Sequence, residues 1–523
     1  MFDFFIVNAL CLDGTGRDPY HINIGISNDL ISYMGDSVFD SKVTIDADGL
    51  CLAPGFIDTH CHSEFTLIAD PRAHGRIAQG VTTEINGNCG LSAGPMFGDC
   101  ARHRESDFLQ YQIAHRWNTF DDYFQILRGS GIGVNFATLC GQGNIRASVM
   151  GYKEGRASDD ELDEMYSHIK HAVMSGIKGL SSGLIYPPGV FTETEELVAL
   201  CSYLKGLKPD ALYVPHMRSE TDHLIEAIEE TIRIGRETGI RLHVSHLKTG
   251  GRENWHKIDR VIALIEEARA EGVEITCDRY PYIASNTDLD TVLPKWVLSG
   301  GIEEEIRRIL DTDTRRRIKL ELQNETRQYW EGIYISSVFR QENRWMEGLG
   351  VSEIAGMLGK DVVDTVLDII VEDEAKTSAI FFSMCEENLR RFLQLPYMSI
   401  GSDSAVRCFD GVTNQGRPHP RGFGSFPRFL GKYVRDEGLM PLQEAIRRIT
   451  SLPARIFGLS NRGELRVGYY ADIVLFDYKK IIDRADYKDP FVKPEGIHWV
   501  FVNGMPVYEN GRFSNLLPGR ILQ

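Results

Sequence analysis

From residue 1 to about 54, apolar and polar positions alternate in short runs, as in Asn23-Ile-Gly-Ile-Ser27 and Val43-Thr-Ile-Asp-Ala47. Turn pairs such as Asp13-Gly14 and Asn28-Asp29 separate them. A period of two broken by turn residues predicts β-strands. From about 55 to 457 the pattern changes. Short apolar runs at 55–59, 81–85, 134–139, 177–182, 212–215, 241–245, 273–277 and 398–402 alternate with helical stretches. Such runs read as buried parallel strands joined by helices, and eight of them predict an α/β fold of the (β/α)8 barrel type. The gap before the last run is long; residues 286 to about 350, with a charged helix over 303–321, read as an inserted subdomain. After 458 the period of two returns in 463–477 and 499–504, where Asn503-Gly504 marks a hairpin. The expected organisation is a small β domain formed by 1–54 and 458–523 beside a barrel spanning 55–457.

Composition narrows the function without naming it. Of the 523 residues, 42% are hydrophobic and 25% charged, the profile of a globular chain. A net charge of −17 argues against nucleic acid, whose phosphates need a basic footprint. No apolar run approaches the roughly 20 residues of a membrane helix. The opening Met1-Phe-Asp-Phe-Phe-Ile-Val7 lacks a basic segment and carries Asp3, so it reads as a strand and not as a signal peptide. The ten cysteines include no CxxC pair, which favours free thiols and a cytoplasmic location. The expected partner is a small molecule, with neither nucleic acid nor membrane involved.

The ends of the predicted strands carry the chemistry. In Ala53-Pro-Gly-Phe-Ile-Asp-Thr-His-Cys-His62, His60 and His62 share one face of an extended chain and Cys61 the other. Cys89 follows the second strand, His216 ends the fifth, His246 the sixth and Asp403 the eighth. Singly, each has an ordinary explanation: a buried thiol, a hydrogen-bonded histidine, a capping aspartate. Together, six such residues on the catalytic rim of a barrel read as a metal site of zinc type, although cobalt or iron also suits these donors. His243, with the opposite strand parity to His246, reads as structural. Lys178 starts its strand, so it stands at the wrong end to bridge metals. A metal here permits hydrolysis, and Asp403 is the candidate to carry the proton from water to a leaving amine.

These segments resemble the N-acyl-D-amino-acid deacylases (D-aminoacylases) of the amidohydrolase superfamily. The resemblance is carried by Pro54–His62, Gly80-Val-Thr-Thr-Glu-Ile-Asn-Gly-Asn-Cys89-Gly, Gly179-Leu-Ser-Ser-Gly-Leu-Ile-Tyr-Pro-Pro188 and His216-Met-Arg-Ser-Glu220. It continues through His243-Val-Ser-His-Leu-Lys248, Tyr280-Pro-Tyr282, Gly401-Ser-Asp403 and His419-Pro-Arg-Gly-Phe-Gly-Ser-Phe-Pro427. It implies one tight Zn2+ on Cys89, His216 and His246, and a second, weaker position on His60, His62 and Asp403. It implies that Lys248 and Arg421, with Tyr280, hold the substrate α-carboxylate. Asn286 stands where a carboxylate-binding serine is expected, Tyr186 reads as a pocket wall, and Gln142 replaces a frequent histidine. The loop from Asp403 to Arg421 is longer than usual.

The implied activity is hydrolysis of N-acyl-D-amino acids with neutral side chains. Acidic D-residues would need a further cation, for which Lys295 and Arg340 are candidates. A cyclic amide or a D-containing dipeptide is the alternative on the same metal, and a non-catalytic assembly protein is a third reading, disfavoured because all six ligand candidates are kept.

Overall fold

The computed structural model describes residues 1–323 and 325–523. Eight parallel strands line the barrel: β1 (Phe56–Asp58), β2 (Val81–Asn86), β3 (Asn135–Thr138, continued by Cys140–Gly141), β4 (Gly179–Gly183), β5 (Leu212–His216), β6 (Arg241–Val244), β7 (Ile275–Arg279) and β8 (Met398–Ile400). Strands β1 to β3 pair in parallel, as do the continuation of β3 and the run β4 to β8. Backbone bonds close the ring: Lys178 N–H donates to Thr138 O at 2.9 Å, and Thr59 N–H to Ile400 O at 3.4 Å. Helices cover the outside, which is why the strands are apolar without alternation.

Inside the barrel, Ile57, Ile85, Ala137, Leu139, Leu212 and Val214 pack against Ala454, Ile456, Phe457 and Leu459. The last group comes from helix Ser451–Ile456 and the turn beyond it. Leu212 begins β5, so this helix plugs the amino-terminal mouth. The carboxyl-terminal mouth, where barrels keep their chemistry, is left open.

Both ends of the chain share one nine-stranded sheet. Cys51–Pro54 pairs with Phe2–Cys11 on one side and with Ile473–Phe476 on the other, with Ile473 opposite Pro54. The Asn503-Gly504 pair joins Ile497–Val502 to Met505–Glu509, both residues having positive φ. Of the stretch 463–477, only Ile473–Phe476 is strand.

The insertion is larger than its charged stretch suggests. Ser285–Asp288, Ile333–Ser337 and Ser378–Phe381 form an antiparallel sheet with the last strand central. Its separate core runs from Leu289 to Ala379, past the expected end near 350. Helices Val351–Leu358 and Val362–Glu372 are as apolar as barrel helices, so composition marks no boundary there. The single helix expected over 303–321 is two, Ile302–Leu310 and Thr312–Leu322. Between them the Asp311 carboxylate accepts from Thr314 N–H at 2.9 Å and starts the second.

Candidate metal centre and active site

Polar side chains at the carboxyl ends of the strands converge on one point. His60, Cys89, His246 and Asp403 bring their ligand atoms within 4.8 Å of one another. The Cys89 Sγ lies 3.3 Å from His60 Nε2 and 3.4 Å from His246 Nε2. Asp403 Oδ1 lies 3.5 Å from His60 Nε2 and 3.3 Å from His62 Nε2. His216 falls in a second group with His246 and Glu220, its ring 4.4 Å from that of His246. The two triads implied by the resemblance are therefore not spatially separate, because Cys89 faces histidines of both. Cys61 points the other way, as strand parity requires, with its thiol 3.8 Å from Asp58 O.

The backbone is bent to achieve this. Cys89, His246 and Asp403 all have left-handed φ, at 52°, 34° and 51°. Each such residue costs about 1–3 kcal/mol and persists only where its surroundings enforce it. Asp403 N–H donates to His60 O at 2.8 Å, and His246 N–H to Asp278 Oδ1 at 2.7 Å. Close approach also needs glycine. A Cβ on Gly183 would lie 2.1 Å from Cys89 O, and one on Gly401 would lie 2.5 Å from the His60 Cβ.

Electrostatics fit a cation. Burial alone would raise the Cys89 thiol, but the charges of His60 and His246 hold it well below the usual range. This favours the thiolate, the form that binds metal. Burial would likewise raise Asp403, yet Arg421, His60 and His62 keep it well below an ordinary carboxylate. His62 is pushed up to about 9: burial opposes this, and hydrogen bonds to Asp403 and Cys89 outweigh it. His216 is buried with neither ring nitrogen hydrogen-bonded among the described residues. A thiolate, imidazoles, a carboxylate and an orphaned histidine form a donor set suited to zinc.

Two residues that sequence reasoning missed stand behind the ligands. Glu220 Oε1 lies 2.8 Å from His246 Nδ1 and pairs with Lys248, and Oε2 lies 3.7 Å from His216 Nε2. Asp278 meets His60 Nδ1 at 3.2 Å and His243 Nε2 at 3.0 Å. The available signal was position: Asp278 sits near the end of β7, and Glu220 lies in the loop after β5, four residues beyond His216. His243 is fully buried and also bonds Thr276 at 2.8 Å.

The residues expected around the substrate meet different fates. Lys248 is 4% exposed, with Nζ 2.8 Å from His246 Nδ1. Arg421 pairs with Asp403 Oδ2 at 2.9 Å and donates to Asn286 O at 3.2 Å. Tyr280 is wholly buried; its ring is a platform 4.5 Å under the Arg421 guanidinium and 4.4 Å from that of Arg279. The Asn286 side chain is committed elsewhere, donating to Ser378 Oγ at 2.6 Å and accepting from Ser336 at 3.0 Å. Only its backbone oxygen reaches Arg421. Tyr186 shares a 2.9 Å bond with Thr287 and places its ring 5.2 Å from His216. Gln142 bonds Thr192 at 2.9 Å. Arg340 pairs with Glu374 at the surface, whereas Lys295 borders the cavity.

That cavity, about 920 Å³, lies between the barrel mouth and the insertion and is bordered by His62, Cys89, His216, Lys248, Asp403 and Arg421. It is large enough for a small molecule.

Comparison with known proteins follows the same lines. The amidohydrolase family matches residues 43–277 and 392–508. A D-aminoacylase of Alcaligenes xylosoxydans xylosoxydans is 33% identical over all of this chain and 97% of its own length. An N-acyl-D-glutamate deacylase of the same organism is 32% identical over all of this chain and 96% of its own. The crystal structure of N-acyl-D-glutamate deacylase from Bordetella bronchiseptica, complexed with zinc and a phosphonate mimic of the tetrahedral intermediate, is 31% identical. It superimposes with a TM-score of 0.84 over 100% of this chain and 99% of that one. The barrel fold, the converging thiolate, imidazoles and carboxylate, and these full-length similarities agree: the chain belongs to the amidohydrolase family, in the branch of the D-aminoacylases and N-acyl-D-amino-acid deacylases.

Proposed function

We propose that the protein is a zinc-dependent hydrolase that cleaves N-acyl-D-amino acids to a D-amino acid and a carboxylate, preferring neutral side chains. One observation carries the choice of an acyclic acid. Arg421 borders the cavity beside Asp403, and its Nε is buried with no hydrogen-bond partner among the described residues. A buried guanidinium with an unused donor suits a carboxylate. A cyclic amide offers none.

The donor set would be filled by Cys89, His216, His246, His60, His62 and Asp403. A zinc held there lowers the pKa of water to about 7 and polarises a carbonyl. The chain's own groups do the rest. Arg421 and Lys248 hold the α-carboxylate, which places the amide beside Asp403. Asp403, ionised, takes the proton of the attacking water; as the C–N bond breaks, it returns that proton to the departing amine nitrogen. The three strained backbones fix these atoms before substrate arrives. The D-configuration comes from the relatives named above.

The cavity wall supports a neutral side chain. Asp288, Asp290 and Glu305 border the cavity, and none forms an ion pair within 4.0 Å among the described residues. Burial raises all three carboxyls, so they offer an acidic side chain no counter-charge. Among the described residues no helix is long and apolar enough to cross a membrane, and all ten cysteines are free. The free thiols support a cytoplasmic location.

Asp403→Asn tests the scheme. It should reduce kcat by about 10²–10⁴-fold while zinc content is kept. Substantial activity in this variant would remove Asp403 as the proton carrier.

A further inference from the structure

Asp278 has no part in the reaction scheme above, yet it touches two of the ligand histidines, His60 and His246. It lies on β7 and is wholly buried. Its Oδ2 accepts from His60 Nδ1 at 3.2 Å and from His243 Nε2 at 3.0 Å, and its Oδ1 accepts from the backbone N–H of His246 at 2.7 Å. His60 follows β1 and His246 follows β6, and the two imidazoles meet the Cys89 sulfur at 3.3 and 3.4 Å. One carboxylate thus grips both histidines from behind, one by its ring and the other by its backbone.

We propose that Asp278 is a positioning residue that sets the His60 tautomer and the left-handed His246 backbone together, and so ties the two parts of the metal-ligand set to each other. The inference rests on the metal-centre reading. A ring N–H given to a carboxylate keeps the proton on Nδ1 and leaves the Nε2 lone pair facing the thiolate and Asp403. The second oxygen holds the amide of His246 at φ 34°, where an unsupported residue would relax.

The geometry makes a sharp claim about Asp278→Asn, which keeps size and loses one acceptor. If the amide oxygen stays on His246 N–H, the NH2 faces His60 Nδ1. That nitrogen must then accept, and the proton moves to Nε2, where a ligand lone pair is needed. The opposite orientation sets the NH2 against the N–H of His246, two buried donors face to face. His243→Gln is the control, since it removes the third partner and leaves both ligand histidines untouched.

Metal-stripped parent, D278N and H243Q would be titrated with Co2+. The thiolate-to-cobalt absorption band follows the cysteine-bound ion, and equilibrium dialysis follows total binding. D278N should bind about 10- to 100-fold more weakly by both readouts, while H243Q stays within about threefold. Folded D278N within about threefold of the parent would overturn the proposal. If D278N does not fold, 15N-histidine NMR of the zinc-loaded parent decides, with the His60 signal identified by its loss in H60Q: Nδ1–H supports the proposal and Nε2–H overturns it. A parent that binds no cobalt would overturn the metal centre itself, and this proposal with it.

Discussion

Arg421→Lys separates substrate binding from chemistry. Arg421 has two tasks in one guanidinium: one nitrogen pairs with Asp403 Oδ2 at 2.9 Å, another donates to Asn286 O at 3.2 Å, and Nε has no hydrogen-bond partner among the described residues. Lysine keeps the charge but has a single nitrogen, so it cannot serve Asp403 and an α-carboxylate at once. A hydrogen bond to a charged group contributes about 1.5–3 kcal/mol, which corresponds to roughly 10- to 150-fold in kcat/KM. Amine release from N-acetyl-D-methionine should fall by that factor, mainly through a higher KM, because the clamp acts on bound substrate and transition state alike. N-acetyl-D-methioninol lacks the carboxylate, so with it parent and variant should agree within about threefold on the same reasoning. An equal fractional loss on both substrates would refute the clamp and assign the effect to Asp403.

Chelation followed by dialysis should abolish turnover, and zinc should restore it to the parent but not to C89A, as metal analysis would confirm. Burial, reinforced by the charge of Asp288, pushes the Glu305 carboxyl up to about 8. A raised carboxyl binds more protons in the folded state, so its stability contribution is full below the unfolded value near 4.5 and declines as pH rises towards 8. E305Q should therefore gain on the parent in unfolding free energy, read from denaturant melts, between pH 5 and pH 8.5, by up to a few kcal/mol; a constant difference would contradict the burial of that group. N-acetyl-D-methionine should be turned over faster than N-acetyl-D-glutamate, and the reverse ratio would point to Lys295 as a side-chain cation.

The barrel was legible because its strands are short, apolar and separated by helical stretches, and because their ends carry polar residues with strand parity. His60, Cys89, His246 and Asp403 could be picked out one by one for that reason, and the structure brings their ligand atoms together. What sequence could not supply was contact between elements. Asp278 and Glu220 act from behind the ligands, and an acid within a strand or a loop has no periodic signature. The partners of the Asn286 side chain were not legible because the sheet of the insertion, which takes it up, joins strands about 45 residues apart and more. Tyr280 lies under its cations and not beside the cavity, a distinction that depends on which way one ring turns.

The most direct test of the central claim is release of free amine from N-acetyl-D-methionine and its L-enantiomer by protein of known zinc content. The account predicts turnover of the D-enantiomer, little or none of the L, and dependence on at least one zinc per chain. Preference for the L-enantiomer, or no turnover of either with zinc bound, would contradict it.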